Sequence, residues 1–139
     1  MGTAHDDPAD GFEEPSPDKN DPKDTLSAAL SYYYAHKLKG ALAFIDYSIA
    51  LERTEHALVV KGFMLMASKD YEGARAHFDE ASTLSPSGPG PAMGRGHLAI
   101  VEKDYNAAQD LLEPALQKWL ESEVSSAPHP DYYLSLIHI

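Results

Sequence analysis

The amino-acid sequence predicts an all-α repeat protein, and three observations support this prediction. The first is a change of composition at Thr25, after which proline is absent until Pro86 and Ala, Leu and Tyr are frequent. The second is a self-similarity with a period of about 34 residues, which is typical of helical repeat architectures. The third is a cluster of Pro and Gly at residues 85–91, which is typical of a break between two regular segments.

The first 24 residues have a different character from the rest of the chain. They hold eight Asp and Glu against two Lys, and so they carry six of the eleven net negative charges. Phe12 is their only large apolar side chain after Met1, so little burial can offset the entropy of ordering them. We predict that residues 1–24 are an acidic disordered tail. An alternative is a tail that binds a basic partner or folds back over its own domain through Phe12.

The repeat is clearest in the middle of the chain. A shift by one period pairs Gly62 with Gly96, Tyr71 with Tyr105, Ala74 with Ala108, and Ala81 with Ala115. A fainter upstream copy, with a period shorter by one, pairs Gly40 with Gly73, Ala41 with Ala74, Ile45 with Phe78, and Leu51 with Leu84. The copies define a repeat domain over residues 25–120, made of units at 22–54, 55–88 and 89–120.

This pattern resembles the tetratricopeptide repeat family over about residues 22–120. In the middle unit the positions of the family's pattern are held by Leu58, Gly62, Leu65, Tyr71, Ala74, Phe78, Ala81 and Pro86. The third unit keeps Gly96, Tyr105, Ala108 and Ala115. The resemblance implies two antiparallel helices in each unit and a right-handed α-solenoid overall.

The residue types at these positions suit paired helices. Gly62 and Gly96 would let the two helices of a unit approach closely, with Phe78 and Leu112 filling the space beside them. We expect Tyr71 and Tyr105 to begin the second helices and to pack back across the turn. The preceding Asp70 and Asp104 would accept hydrogen bonds from backbone N–H groups.

Prolines mark the expected ends and distortions of these helices. Pro86 should end the second helix of the middle unit, because it cannot continue the backbone hydrogen bonds. The run at 85–91 predicts a long turn, so that the next helix starts only near Ala92. Pro114 should remove one hydrogen bond and kink its helix.

The resemblance also implies a concave groove lined by the first helix of each unit. The residues that it places there are mostly apolar or aromatic, with His56 at the edge: Leu26, Leu30, Tyr33, Tyr34, Val59, Phe63, Met66, Met93, His97 and Ile100. Such a groove suits an apolar peptide in an extended or helical conformation. The alternative is that this stripe is core, or is covered by further repeats or by the tail.

Several classes of function are disfavoured. Without cysteine there is no disulfide scaffold, thiol nucleophile or cysteine-ligated zinc. The sequence has no apolar run of membrane-spanning length, no visible signal peptide and no basic stripe for nucleic acid. No metal-binding histidine pair, nucleophile elbow or phosphate loop is present. We therefore expect a cytoplasmic protein without catalytic activity, metal or other cofactor, and without nucleic-acid or membrane partners.

The C-terminal end is unusual. Residues 121–133 are predicted to be a linker and the start of a fourth repeat, in the sequence HPDYY. The last six residues, 134–139, read LSLIHI, which is the translation of a transposon end used as a sequencing adapter. We expect these six residues to be adapter-derived and the natural protein to be longer; a genuine helix start is the alternative. Without a further repeat, the last helix would expose Leu116 and Leu120 and favour self-association.

The function that these features favour is protein–protein interaction. The chain would be a scaffold or adaptor that binds a protein or peptide segment in its groove. Two alternatives stay open. One is a small bacterial secretion chaperone, and the other is the regulatory N-terminal region of a longer enzyme such as a transferase or protease.

Overall fold

The computed structural model of the protein describes residues 11–86, 88–121 and 130–137. Four parts of the sequence predictions lie outside these residues: the first ten residues of the tail, Ser87 of the inter-repeat turn, residues 122–129 of the linker, and the final two residues.

The described residues form helices and no strands. The helices are α1 (Pro22–Tyr34), α2 (Leu38–Leu51), α3 (Glu55–Ala67), α4 (Tyr71–Leu84), α5 (Pro89–Val101), α6 (Tyr105–Glu121) and α7 (Pro130–Ile137). Consecutive helices pack as pairs, α1 with α2, α3 with α4, and α5 with α6. We call these hairpins 1, 2 and 3. The predicted all-α fold of successive helical hairpins is therefore confirmed.

The helix boundaries follow the repeat seen in the sequence. The first helices of the hairpins begin at Pro22, Glu55 and Pro89, which are the first residues of the three predicted units. The second helices begin at Leu38, Tyr71 and Tyr105, with the same two spacings along the chain. The sequence repeat is thus a repeat of helix starts.

Each hairpin turns in the same way. One residue of each turn has a left-handed backbone, and these residues are His36, Lys69 and Lys103, with φ of 61°, 65° and 63°. The next N–H donates to a carbonyl of the last turn of the preceding helix, as from Asp70 to Leu65 at 2.8 Å. This is the Schellman arrangement, which satisfies the last carbonyls of a helix and usually has glycine at its left-handed position.

The residue that follows the left-handed position caps the second helix in two of the three hairpins. Asp70 Oδ1 accepts a hydrogen bond from the N–H of Gly73 at 3.0 Å. Asp104 Oδ1 accepts one from Ala107 at 3.1 Å. The predicted role of both aspartates is confirmed. In hairpin 1 this place belongs to Lys37, which makes no side-chain cap.

The chain divides into two compact units, one running to Arg53 and the other beginning at Thr54. In the second unit, the core is built around Phe78, whose fully buried ring lies against two glycines. A methyl group at Gly62 on α3 or at Gly94 on α5 would overlap this ring. Gly96 gives the same close approach to Leu112. The predicted role of Gly62 and Gly96 is confirmed, whereas no role was predicted for Gly94.

The other repeat positions also lie where the pattern places them. The small residues of the second helices are buried: Ala74, Ala81, Ala108 and Ala115. Pro86 follows the end of α4 by two residues, as predicted. Tyr71 and Tyr105 both begin their helices, but only Tyr71 is partly covered. Tyr105 is 63% exposed, so it does not pack back across its turn.

Helix α4 packs against both α3 and α5, whereas α6 packs chiefly against α5.

One prediction about proline was wrong, and another stays a prediction. Helix α5 begins at Pro89 rather than near Ala92, with Gly88 as its N-cap. Proline suits the first position of a helix, because the N–H that it lacks would have no partner there. Pro114 lies inside helix α6, which continues to Glu121; the kink expected there stays a prediction.

The first unit contains hairpin 1 and the described part of the acidic leader. Helix α1 begins at Pro22, inside the segment assigned to the tail, with the Asp21 side chain accepting from Lys23 N at 2.9 Å. The Phe12 ring lies 4.9 Å from the ring of Tyr32. Residues 11–21 therefore follow the alternative in which the leader folds back over its own domain through Phe12.

Candidate protein-interaction face on α3 and α5

Helix α7 does not continue the repeat at its regular spacing. The step along the chain from the start of α5 at Pro89 to Pro130 is longer than the step from Glu55 to Pro89, which is one repeat. Helix α7 packs against α3 as well as α5. The HPDYY segment, expected to open a fourth repeat, therefore enters a separate helix that lies across the first helices of hairpins 2 and 3.

The local sequence explains why a helix forms here. Proline is favoured at the first helical position, and Asp131 places a negative charge in the first turn, at the positive end of the helix dipole. The helix buries one side: Tyr133 is 3% exposed and Leu136 is fully buried. These two residues are three positions apart and so share a face. The packing of Leu136 does not bear on the predicted adapter origin of residues 134–139, which stays a prediction.

The surface beneath α7 belongs to the first turns of α3 and α5. We define the α3–α5 face by Glu55, His56 and Val59 on α3 and Gly90 on α5. Helix α3 is anchored here by its N-cap, since Thr54 Oγ1 accepts from the N–H of Ala57 at 3.1 Å. Val59 is fully buried.

Gly90 makes room for the side chains that meet on this face. A Cβ atom at Gly90 would lie 2.6 Å from Glu55 Oε2, 3.2 Å from the Tyr133 hydroxyl oxygen and 3.3 Å from Val59 Cγ2. Side chains of α3 and α7 therefore converge on the same point of α5. A larger residue at position 90 would have to displace them.

One hydrogen-bonded pair and two further polar groups, Glu55 and the Tyr133 hydroxyl, lie at this otherwise apolar contact. Nε2 of His56 is 2.7 Å from the hydroxyl oxygen of Tyr132, with the rings edge-on at 5.5 Å. Burial lowers the pKa of His56 and so favours its neutral form. Burial also raises the pKa of Glu55. The Tyr133 hydroxyl has a strongly raised pKa, first through burial and then through the Glu55 carboxylate, so it stays protonated.

No protein-family model matches the chain, and a search of curated proteins finds no match. The interpretation of the face therefore rests on its own geometry.

The structure separates the predicted groove residues into three groups. The exposed ones are Tyr34 and Ile100, the half-buried ones are Leu26, Leu30 and His97, and the buried ones are Tyr33, Val59, Phe63, Met66 and Met93. The first four in sequence, Leu26, Leu30, Tyr33 and Tyr34, belong to the first unit, and the other six belong to the second.

Phe63 and Tyr33 are core residues rather than walls of an open groove. The ring of Phe63 packs edge-on against Phe78 at 5.2 Å, inside hairpin 2. Tyr33 is 2% exposed, and burial together with the neighbouring Tyr34 raises its pKa to about 12. In the second unit the reason is plain: α3 and α5 pack together, so much of their apolar stripe is core.

The α3–α5 face shares only part of its residues with the groove that the sequence predicts. Val59 and His56 were assigned to the groove and its edge, and both contribute to the α3–α5 face. Glu55, Gly90 and the two tyrosines of α7 were not assigned to it. The run PDYY, with its N-terminal proline and aspartate, signals a helix start, but nothing local indicates which surface that helix meets.

Two other surfaces of the second unit are weaker candidates for an interaction site than the α3–α5 face. A cleft of about 310 Å³ is bordered by α4, α5 and α6, with Arg95 and Lys118 among its lining residues. Arg95 is already engaged, because its Nε lies 3.4 Å from Asp79 and its Nη1 3.5 Å from Ser82 Oγ. On α6, Leu116 and Leu120 are exposed as predicted.

Within the part of the chain that the structure describes, no group of three or more His, Asp or Glu residues is arranged to hold a metal ion. None of the described helices has the length and apolar character needed to cross a membrane.

Proposed function

We propose that the chain is a protein-interaction module whose α3–α5 face binds an amphipathic helical segment of a protein partner. The observation that carries this proposal is the position of α7, which lies on the face as a short helix and buries Tyr133 and Leu136 there. Recognition of a helix in a groove commonly uses anchors three or four residues apart on one side of the bound helix. Tyr133 and Leu136 have this spacing.

The proposal includes membership of the tetratricopeptide class. Its support is the regular spacing between equivalent helix starts, at Pro22, Glu55 and Pro89, and the close packing of Gly62 against Phe78. A cytoplasmic, non-catalytic adaptor is the role that we assign to the chain. We infer the role from the resemblance to the tetratricopeptide family, and we propose that the partner binds at the α3–α5 face.

The proposal can be tested with the full chain and a separate copy of the helix. Leu136→Asp places a charge at a fully buried position of α7 and should loosen this helix from the face. A fluorescein-labelled peptide of the wild-type sequence Pro130–Ile137 is then titrated against this variant and against the unchanged chain. We expect saturable binding to the Leu136→Asp chain and at least tenfold weaker binding to the unchanged chain, where α7 competes.

A second substitution on α5 shows where the peptide binds. Added to the Leu136→Asp chain, Gly90→Leu fills the point where Glu55, Val59 and Tyr133 converge, and we expect it to abolish binding. Ala92→Leu places the same side chain two residues later, beside the cleft that Ala92 lines, and is the matched control that should keep binding. Circular dichroism checks that all variants are helical. Binding that is unaffected by Gly90→Leu, or absent from a folded Leu136→Asp chain, contradicts the proposal.

A further inference from the structure

The contact between α7 and the α3–α5 face contains two hydroxyl groups at its buried side. Tyr132 and Tyr133 are consecutive; the Tyr132 hydroxyl is hydrogen-bonded to His56 of α3, and the Tyr133 hydroxyl and the Glu55 carboxylate of α3 both lie near Gly90. We propose that the face is specific for a helix with two consecutive tyrosines in its first turn, and that His56 and Glu55 select tyrosine over phenylalanine. This inference rests on the proposed function, because it names the class of partner that the same face takes.

The first of the contacts that would select tyrosine is a direct hydrogen bond. The Tyr132 hydroxyl oxygen and His56 Nε2 are 2.7 Å apart, which is a short distance for such a pair. With its ring proton on Nδ1, neutral His56 accepts the hydrogen bond and Tyr132 donates it. The edge-on packing of the two rings holds this geometry.

The second contact depends on the missing side chain of Gly90. The Tyr133 hydroxyl oxygen and Glu55 Oε2 lie 3.2 Å and 2.6 Å from the place where a Cβ of residue 90 would be. The structure shows no hydrogen bond between these two groups, but the phenol can donate and the carboxylate can accept, and both lie beside Gly90. The carboxylate influences this phenol directly, since it contributes to the raised pKa of Tyr133.

A phenylalanine at position 132 would keep the apolar contact and remove the hydrogen bond to His56. His56 would then be covered by a ring without receiving a hydrogen bond, which is costly for a buried polar group. A phenylalanine at position 133 would remove the hydroxyl that lies with the Glu55 carboxylate beside Gly90. Sites built around a substrate hydroxyl discriminate strongly against the analogue that lacks it, for this reason. Both tyrosines precede Leu134, so neither hydroxyl belongs to the residues predicted to be adapter-derived.

Peptides that differ only in these hydroxyls provide the test. Labelled peptides of the sequence Pro130–Ile137, with Tyr-Tyr, Phe-Tyr, Tyr-Phe or Phe-Phe at positions 132 and 133, are titrated against the full chain carrying Leu136→Asp. We expect the Phe-Tyr peptide to bind about tenfold more weakly, because it loses the hydrogen bond to His56, the Tyr-Phe peptide to lose less, and the Phe-Phe peptide to bind most weakly. Equal affinity for the Tyr-Tyr and Phe-Phe peptides would overturn the specificity and leave the proposed function intact. Failure of all four peptides to bind a folded chain would overturn both.

A measurement within the intact chain covers the case in which Leu136→Asp does not fold. Tyr132→Phe and His56→Leu each remove one partner of the hydrogen bond, and the double variant removes both. We expect each single variant to lower the protection of the α7 amides against hydrogen exchange by about tenfold, and the double variant to be no worse than either. If the loss of protection in the double variant is instead the product of the losses in the two single variants, the two side chains act independently and the inference is wrong. Tyr47→Phe, at an exposed tyrosine of α2, is the matched control and should change nothing.

Discussion

Hairpins 1 and 2 have the same backbone turn but use the residue after it in different ways. In hairpin 2, Asp70 caps α4 through a hydrogen bond to Gly73. In hairpin 1, Lys37 makes no cap; it is 4% exposed, and its Nζ lies 5.3 Å from the centroid of the Phe12 ring. The first hairpin therefore gives up a helix cap, worth about 1 kcal/mol, and uses that position to hold a preceding segment of chain.

The two units also cover their apolar side chains with different kinds of structure. In the first unit a non-helical segment is held by aromatic rings, with Tyr32 between Phe12 at 4.9 Å and Phe44 at 5.3 Å. In the second unit a helix lies on α3 and α5, with Tyr132 hydrogen-bonded to His56. The first cover therefore packs on a single hairpin, whereas the second packs on the first helices of two hairpins.

The largest effect is expected at the repeat position that is Phe78 in hairpin 2 and Ile45 in hairpin 1. Both side chains are fully buried, but Phe78 fills the space left by two glycines, Gly62 and Gly94. Phe78→Ala should lower the free energy of unfolding by about 3–5 kcal/mol, because neither glycine can fill the cavity. The measurement is guanidinium denaturation followed by circular dichroism.

Ile45→Ala is the comparison for this prediction. Fewer atoms are removed, and we expect a loss of about 2–4 kcal/mol. A larger loss for Ile45→Ala than for Phe78→Ala would show that the two glycines do not make Phe78 the centre of its core.

A smaller effect is expected where the leader packs on the first unit. Phe12→Ala removes the ring that contacts Tyr32 and Lys37, and should cost about 1–2 kcal/mol, since the ring is only partly buried. The measurement is denaturation of the full chain, with Tyr47→Ala, at an exposed aromatic position, as the control. If both variants are as stable as the wild type, the contact of residues 11–21 with hairpin 1 contributes nothing.

The comparison also shows which parts of the molecule were predictable. The helix starts at Tyr71 and Tyr105 followed from the sequence repeat, whereas the start of α5 at Pro89 did not, because the Pro and Gly of residues 85–91 favoured a longer turn. The place of Phe78 followed from paired small residues. These predictions concern contacts within a hairpin, where sequence spacing fixes which side chains meet.

The features that were missed depend on long-range contacts. Tyr132 and His56 are 76 residues apart, and no local pattern links them. A buried Lys37 is equally unexpected, because lysine is almost never fully buried without a partner, and its partner here is a ring from outside the hairpin. The tail, the core and the α3–α5 face were therefore predicted less accurately from the sequence than the helices were.

The α3–α5 face should respond to pH in two opposite ways. Burial lowers the pKa of His56 from its usual 6.5, so the unfolded chain binds protons more readily and acidification below 6.5 destabilises the unit. Burial raises the pKa of Glu55 from 4.5, so the folded chain binds protons more readily and acidification toward 4.5 stabilises the unit. The two contributions oppose each other in the wild-type chain.

Removing one group at a time separates these contributions. Relative to the wild type, His56→Gln should gain stability between pH 7 and pH 5, and Glu55→Gln should lose it over the same range. Urea denaturation at the two pH values measures both changes. The same sign of change in the two variants would contradict the assignment. Hairpin 1 has no such pair at its equivalent helix start, where Pro22 and Lys23 stand, so variants there should show no such opposition.

The smallest effect is expected at the feature that the hairpins share. Lys69 has φ of 65°, a left-handed backbone that is unfavourable for residues with a side chain. Lys69→Gly should stabilise the protein by roughly 0.5–1 kcal/mol, because the relief of strain exceeds the added flexibility of the unfolded chain. Ser68→Gly is the control: the φ of Ser68 is −88°, so glycine relieves no strain there, adds flexibility to the unfolded chain and removes the hydrogen bond from Ser68 Oγ to the Leu65 carbonyl, and it should destabilise. His36→Gly tests whether the same gain appears in hairpin 1, where the turn is followed by the buried Lys37. A gain at residue 69 without one at residue 36 would mean that Lys37 and Phe12, rather than the turn, set the stability of the first hairpin.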